Sequence, residues 1–324
     1  MLKRLFKLFV LHTLIQQAYV AYTLSSIDPR ETLQSPQNHA RRGIQQRAET
    51  DESAYTIRHV IEDGIERISY IPHEKKFETP ILMQHGMWHG AWCWENWQQL
   101  FAEWGWESHA ISLPGHGQSP VQRPVWRCTL DYYLSFIKAE VDRLPTKPIL
   151  MGHSMGGALT QWYLKYVGDD LPAVVLVAPW VSHSSLADGL PLILQQDPLA
   201  MLLTSLQWNA NSWVRNPQRA AEKLISYNAT IKPVDLYNRL NGESVLVVMQ
   251  HNPPFWTPPE HIHTPMLWLS GEADTVVSEA GQRKSAVYYG ADYYMVNRAA
   301  HNLMMENSYE ETAKYIHNWL EDIY

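Results

Sequence analysis

Residues 148–167 read Pro148-Ile-Leu-Met-Gly152-His153-Ser154-Met155-Gly156-Gly157-Ala158-Leu-Thr-Gln-Trp-Tyr-Leu-Lys-Tyr-Val167. A short apolar run of strand length enters a G-x-S-x-G string, and apolar residues spaced three and four apart follow it, as in a helix. A strand that turns directly into a helix around a serine needs glycines there. The turn is tight, side chains would clash, and the serine Oγ is lifted clear of the sheet. The N-terminal dipole of the helix favours negative charge at the same point. Ser154 is therefore the candidate nucleophile, with Gly152, His153 and Gly156 shaping its turn. An ordinary glycine-rich turn is the weaker alternative, since it does not explain the strand before and the helix after.

A serine hydroxyl is a poor nucleophile at neutral pH and needs a base. Of 15 histidines, His301 in Arg298-Ala-Ala-His301-Asn302-Leu303 is singled out by position, after the last strand-like run and before the last helical one. The third group should be a carboxylate lying between the two in chain order. Asp274, in Ser270-Gly-Glu-Ala-Asp274-Thr275, follows a strand-like run. Glu272 competes with it, and Asp274 is preferred because the Gly-x-x-Asp spacing lets a turn aim the shorter side chain inward. An oxyanion hole needs two backbone N–H donors, each worth roughly 3–4 kcal/mol of barrier. Met155 supplies one and Met87, in the loop His85-Gly86-Met87, is the candidate for the other, with His85 and Gly86 shaping that loop. His85 and His89 lack a third ligand for a metal site. His261 and His263 read as solvated loop residues, and His116, in Leu113-Pro-Gly-His116-Gly-Gln-Ser119, as a structural residue of a tight turn.

Around these residues the chain has a βαβ rhythm. A loose alternation at 55–61, the turn Asp63-Gly64 and a second alternation at 66–71 predict a hairpin. Apolar runs at 80–84, 109–113, 148–151, 173–178, 265–269 and 293–296 predict parallel strands. Helical periods fall at 130–144, 156–167, 279–289 and 303–323. The fold class is α/β, a mostly parallel doubly wound sheet. The rhythm breaks at 180–264, too long for a structureless loop and so expected to be a helical cap over the strand ends. The expected organisation is a tail at 1–52, a core at 53–179 and 265–324, and that cap.

Composition narrows the function classes. The chain of 324 residues has 45% hydrophobic and 18% charged residues and a net charge of −7, an ordinary globular profile without the concentrated positive charge that nucleic acid requires. Cys93 and Cys128 are too few for a disulfide framework. Fourteen Trp against six Phe predict indole-lined apolar surfaces. Residues 1–27 carry Lys3, Arg4 and Lys7 and no acid before Asp28, with an apolar run broken by His12, Gln16 and Gln17. That is a poor membrane span and an imperfect leader. A cytoplasmic tail is the default reading, with export or peripheral membrane contact through 1–27 open. From 25 to 52 the chain has neither apolar period and reads as linker.

Taken together, the HG loop, the Leu-Pro-Gly-His-Gly-x-Ser turn, Gly-His-Ser-Met-Gly-Gly, Gly-Glu-Ala-Asp and the late Ala-His resemble the α/β-hydrolase superfamily from residue 80 onward. The stretch His85-Gly-Met-Trp-His-Gly-Ala-Trp-Cys-Trp94 looks like plant methylesterases and hydroxynitrile lyases, and the remainder like lysophospholipase and monoglyceride-lipase relatives. Met87 and Asn302 stand where the lyases keep threonine and lysine, and Ser154 where dehalogenases and epoxide hydrolases of this fold keep aspartate. The resemblance implies hydrolysis of a small apolar carboxylic ester through an acyl-enzyme, without a cofactor. Trp180, Trp208, Trp213 and Trp256 are candidate pocket lining or else the cap's own core. Lactone or carbon–carbon bond hydrolysis by the same triad, and a non-catalytic ligand receptor, are the rivals.

Overall fold

The computed structural model describes residues 2–34 and 43–323. The chain opens with helices α1 (Leu2–Ser25) and α2 (Pro29–Gln34), then strands β1 (Ile44–Asp51), β2 (Tyr55–Glu62), β3 (Ile65–Pro72) and β4 (Phe77–Gln84). Helix α3 (Glu95–Glu103), β5 (Trp106–Ser112), α4 (Leu130–Arg143), β6 (Ile149–His153), α5 (Met155–Tyr166) and β7 (Val174–Val177) follow. Five helices come next: α6 (Ser185–Gln196), α7 (Pro198–Gln207), α8 (Pro217–Leu224), α9 (Pro233–Arg239) and α10 (Val245–Gln250). The chain closes with β8 (Met266–Gly271), α11 (Glu279–Tyr289), β9 (Asp292–Val296) and α12 (Tyr309–Ile323).

The nine strands form one sheet in the order β1-β2-β3-β5-β4-β6-β7-β8-β9. Strands β1 to β3 are antiparallel and join β5 antiparallel, while β5, β4, β6, β7, β8 and β9 run parallel. β4 lies between β5 and β6, so the chain leaves it first toward one edge and later toward the other. The crevice beyond the carboxyl ends of strands flanking such a reversal is where open α/β sheets bind ligands. Here those ends are the two loops singled out above: Gln84 of β4 pairs with Gly152 of β6, which sets His85-Gly86-Met87 beside His153-Ser154.

The parallel strands β6, β7 and β8 are buried along their whole length, which explains why they read as unbroken apolar runs instead of alternating ones. Six tryptophans, at 94, 97, 106, 162, 256 and 268, are among the largest fully buried side chains. Replacing any of them by alanine would cost about 3–5 kcal/mol. Phe77 stacks on Trp106 with ring centroids 3.8 Å apart, tying the start of β4 to β5.

The stretch from 25 to 52 is not simple linker. It contains α2, whose Thr32 Oγ1 donates to Asp131 Oδ2 on α4 at 2.8 Å, and β1, an edge strand paired with β2. All eight residues of β1 are exposed, so it has no buried face to produce an alternating pattern. Pro36 and the Arg41-Arg42 pair lie outside the described residues. Helix α3 has no counterpart among the predicted periods either; it buries Trp97, Gln98, Phe101 and Ala102. The five helices between β7 and β8 owe their starts to local chemistry. Ser184, Asp197, Asn216 and Ser244 accept backbone N–H groups as N-caps, and prolines open α7, α8 and α9, where a missing N–H costs nothing.

Candidate active site

Ser154 occupies the turn between β6 and α5 with φ 53° and ψ −115°, a left-handed conformation costing about 1–3 kcal/mol in a non-glycine residue. The strain is held by its own backbone: its N–H donates to Val177 O at 3.0 Å, and its carbonyl accepts from Ala158 and Trp180. A Cβ on Gly156 would stand 2.3 Å from Gln84 O, so only glycine lets α5 approach β4 this closely. A Cβ on Gly86 would stand 2.8 Å from Ser154 Cβ, so the HG loop is packed directly on the serine.

His301 Nε2 lies 2.8 Å from Ser154 Oγ, and His301 Nδ1 lies 2.7 Å from Asp274 Oδ2. Both His301 and Asp274 side chains are only 2% exposed. The other Asp274 oxygen accepts from the amides of Val276 at 2.7 Å and Val277 at 3.2 Å, so the carboxylate is fixed on both sides. Glu272 points elsewhere and accepts Arg298 N at 2.8 Å. The loops carrying Asp274 and His301 are strapped together by Ala273 N donating to Ala299 O at 2.8 Å and Glu272 N to Val296 O at 3.0 Å. In this arrangement a proton can pass from Ser154 to an imidazole whose far nitrogen faces a carboxylate. Met155 is the first residue of α5, so its N–H has no intrahelical partner; Met87 and Ser154 line one cavity.

The sequence profile described as the alpha/beta hydrolase family matches residues 81–315. The chain belongs to this family. It is 26% identical over 180 residues to putative esterase/lipase 1 of Mycoplasma genitalium, spanning 52% of this chain and 64% of that protein. It is 32% identical over 108 residues to the pFDCC methylesterase MES16 of Arabidopsis thaliana, spanning 33% and 41% respectively. Both matches cover less than two thirds of the relative. Among solved structures, a membrane phospholipase A superposes with a TM-score of 0.60 at 17% identity, covering 100% of this chain and 99% of that one, a likeness of fold.

Around the serine of this α/β-hydrolase, histidines noted above for other reasons brace the site. His85 Nδ1 donates to Gly86 O at 2.7 Å and its Nε2 accepts Leu113 N at 3.0 Å, stapling the HG loop to the end of β5. His89 Nδ1 donates to Met87 O at 2.7 Å, and its Nε2 accepts Asn302 Nδ2 at 3.0 Å. Asn302 follows His301, so this pair couples the HG loop to the loop of the base. No motif singles it out, because the two residues are 213 apart in sequence. Burial holds His85 and His153 well below the usual histidine pKa and pushes His89 down to about 4. His153 Nε2 donates to His301 O at 3.2 Å. His116 is fully buried against Glu243, 3.1 Å away, while His261 and His263 are exposed. Cys93 and Cys128 are free and buried. Removing the His89 brace by His89→Leu is expected to lower kcat roughly tenfold with KM little changed, through displacement of Met87, the candidate oxyanion donor; an unchanged kcat would show that the loop holds itself.

The cavity at the serine is small, about 50 Å³. Met87, Trp88, Trp180, Val181 and Val277 line it together with Leu186, Ile193, Lys223 and Val248 of α6, α8 and α10. Of the four tryptophans considered for the lining, Trp180 and Trp213 are there. The other two are not. Trp256 is fully buried, stacked on Trp162 at 5.2 Å, with its Nε1 donating to Ser182 O; Trp208 ends α7 and packs against Tyr19 of α1. Position along the chain did not separate rings facing the cavity from rings filling the core.

Proposed function

We propose that the protein hydrolyses a carboxylic ester through an acyl-enzyme, with Ser154 as nucleophile, His301 as general base and then acid, Asp274 holding the imidazole tautomer, and the Met87 and Met155 amides binding the oxyanion. The observation that carries this reading is the continuous pair of short contacts from Ser154 Oγ through His301 to Asp274. The esterase and methylesterase relatives support the ester class, and the apolar lining of the cavity supports a small apolar acyl or aromatic group. The test is turnover of a chain-length series of p-nitrophenyl esters, with fluorophosphonate labelling of Ser154 in parallel. Labelling with turnover supports the reading. Labelling without turnover of any ester moves lactone or carbon–carbon bond cleavage ahead, and failure to label favours a ligand receptor.

A second reading concerns location. No described helix is long and apolar enough to cross a membrane, yet α1 leaves Val10, Leu11, Leu14 and Ile15 exposed. His12 and Gln16 of α1 sit against Ser205 O of α7, and α7 itself exposes Leu199, Leu202 and Leu206. Two adjoining helices thus present leucines outward, next to an N-terminal sequence that carries Lys3, Arg4 and Lys7. This combination suits the surface of an anionic bilayer. The full chain is expected to cosediment with phosphatidylglycerol-containing vesicles, and the triple change Leu11→Gln, Leu14→Gln, Ile15→Gln to reduce binding at least tenfold. Equal binding by both forms would remove the proposal.

A further inference from the structure

The cavity beside Ser154 is mostly apolar, and one of its polar lining residues carries a cation that ester cleavage does not use. Lys223, in the last turn of α8, lines it and is 5% exposed. Its Nζ has one long hydrogen bond, to Gln196 Oε1 at 3.4 Å, and among the described residues no carboxylate lies within ion-pair distance of it. The nearby acids are committed elsewhere. Asp197 is ion-paired with Arg215 and lies 3.8 Å from Arg219, and Glu222 pairs with Arg219. Asp188, which also lines the cavity, accepts from Ser278 N at 2.9 Å and from Ser278 Oγ. Burial lowers the Lys223 pKa from the usual lysine value.

The position of this ammonium is set by the candidate catalytic loops. Thr275 Oγ1, one residue beyond Asp274, donates to Glu222 O at 3.3 Å. Asn302 N, one residue beyond His301, donates to Leu224 O at 2.8 Å. Gln196, the partner of Lys223, donates to Thr275 O at 3.1 Å. The residues on either side of Lys223 are therefore pinned to the loops that carry the base and its carboxylate. Two residues that line the cavity, Trp88 and Trp213, also have buried indole N–H groups with no acceptor among the described residues. A buried ammonium with a single neutral partner is costly, and an anion that completes its shell recovers that cost.

We propose that Lys223 is a specificity-determining residue, and that the ester cleaved at Ser154 carries an acidic oxygen group, a carboxylate or a phosphate, at the end of its apolar portion remote from the scissile carbonyl. The apolar walls take the intervening methylenes, and Lys223 takes the charged oxygens. This rests on the ester-hydrolase reading for the chemistry, while binding at Lys223 can be measured without turnover.

The experiment compares p-nitrophenyl hexanoate with mono-p-nitrophenyl adipate, which differ by a terminal carboxylate, on the full-length protein and on Lys223→Met and Lys223→Arg. The wild type is expected to favour the carboxylated ester at least tenfold in kcat/KM. Lys223→Met should lose that preference, and Lys223→Arg should retain most of it. In thermal-shift measurements, hexanoate and hexyl phosphate should stabilise the wild type more than hexanol does, and lose that advantage in Lys223→Met; the larger shift of the two identifies the acid. Equal preference in wild type and Lys223→Met, or anion-induced shifts that survive in Lys223→Met, would overturn the assignment. Absence of turnover for both esters would count against the ester reading, and the thermal shifts would still decide Lys223. Methionine removes a buried charge, so a folded variant is expected.

Discussion

Ser154→Ala is expected to reduce turnover of any p-nitrophenyl ester the wild type accepts by at least about 10⁴-fold, because the nucleophile of a triad acts as part of a unit and its loss removes most of the unit's effect. Circular dichroism and melting temperature should change little. The serine buries few atoms, and alanine at φ 53° carries the same backbone strain as serine. Ser154→Gly separates strain from chemistry: it should be equally inactive and more stable, by about 1 kcal/mol, since glycine adopts this conformation without the steric cost. Retention of more than a few per cent of activity in Ser154→Ala would remove Ser154 as nucleophile. A lower melting temperature for Ser154→Gly would show that the turn is not strained in the folded chain.

The second large effect expected is acid lability. His85, His89, His153 and His251 are fully buried, and burial is the first cause of the lowered pKa in each, to about 4 for His89 and about 3 for His251. The hydrogen bonds agree with neutral rings. His85 and His89 each use one nitrogen as acceptor, and His251 Nδ1 accepts from Trp162 Nε1 at 3.0 Å, so a proton there would break a buried bond. Above the unfolded histidine pKa, near 6.5, neither state binds a proton and these groups leave stability unchanged. Below it the unfolded chain takes up protons that the folded chain refuses. Stability therefore falls by about 1.4 kcal/mol per pH unit for each group, continuing down to about pH 4 for His89 and about pH 3 for His251. Four such sites give a slope of several kcal/mol per pH unit, enough to consume a typical stability of about 5–15 kcal/mol before pH 4. Chemical denaturation at intervals from pH 7.5 to 4.5 measures the slope directly. A free energy of unfolding that stays level to pH 4.5 would mean that the imidazoles titrate in the folded protein.

The polar residues of the candidate site were legible for a physical reason: each lies in a short segment whose chemistry announces itself. A strained turn needs Gly152, Gly156 and Gly157 around Ser154, and the strand run before it and the helical period after it declare where that turn sits. Met87, Asp274 and His301 were identifiable as candidates because they follow parallel strands, whose carboxyl ends converge on one crevice whatever their spacing in the chain. The central parallel strands β6, β7 and β8 were the most readable because, buried along their whole length, they are runs of mainly apolar residues. Strand β1 was not readable, since it is held by backbone pairing to β2 and has no buried side chain to leave a pattern.

The sequence by itself determined the class of fold, the order of strands from β2 onward with the helices that follow β5, β6, β8 and β9, and which serine, histidine and aspartate could meet, because these follow from local periodicity and turn chemistry. Only the tertiary structure decided what surrounds them. Whether a tryptophan lines the cavity or fills the core, whether His89 reaches Asn302 across 213 residues, and whether the Lys223 ammonium lies beyond ion-pair distance of every described carboxylate all depend on how separate segments pack. Such packing is set by volume and by the pairing of buried donors with acceptors, properties of the assembled interior that no single stretch of chain contains.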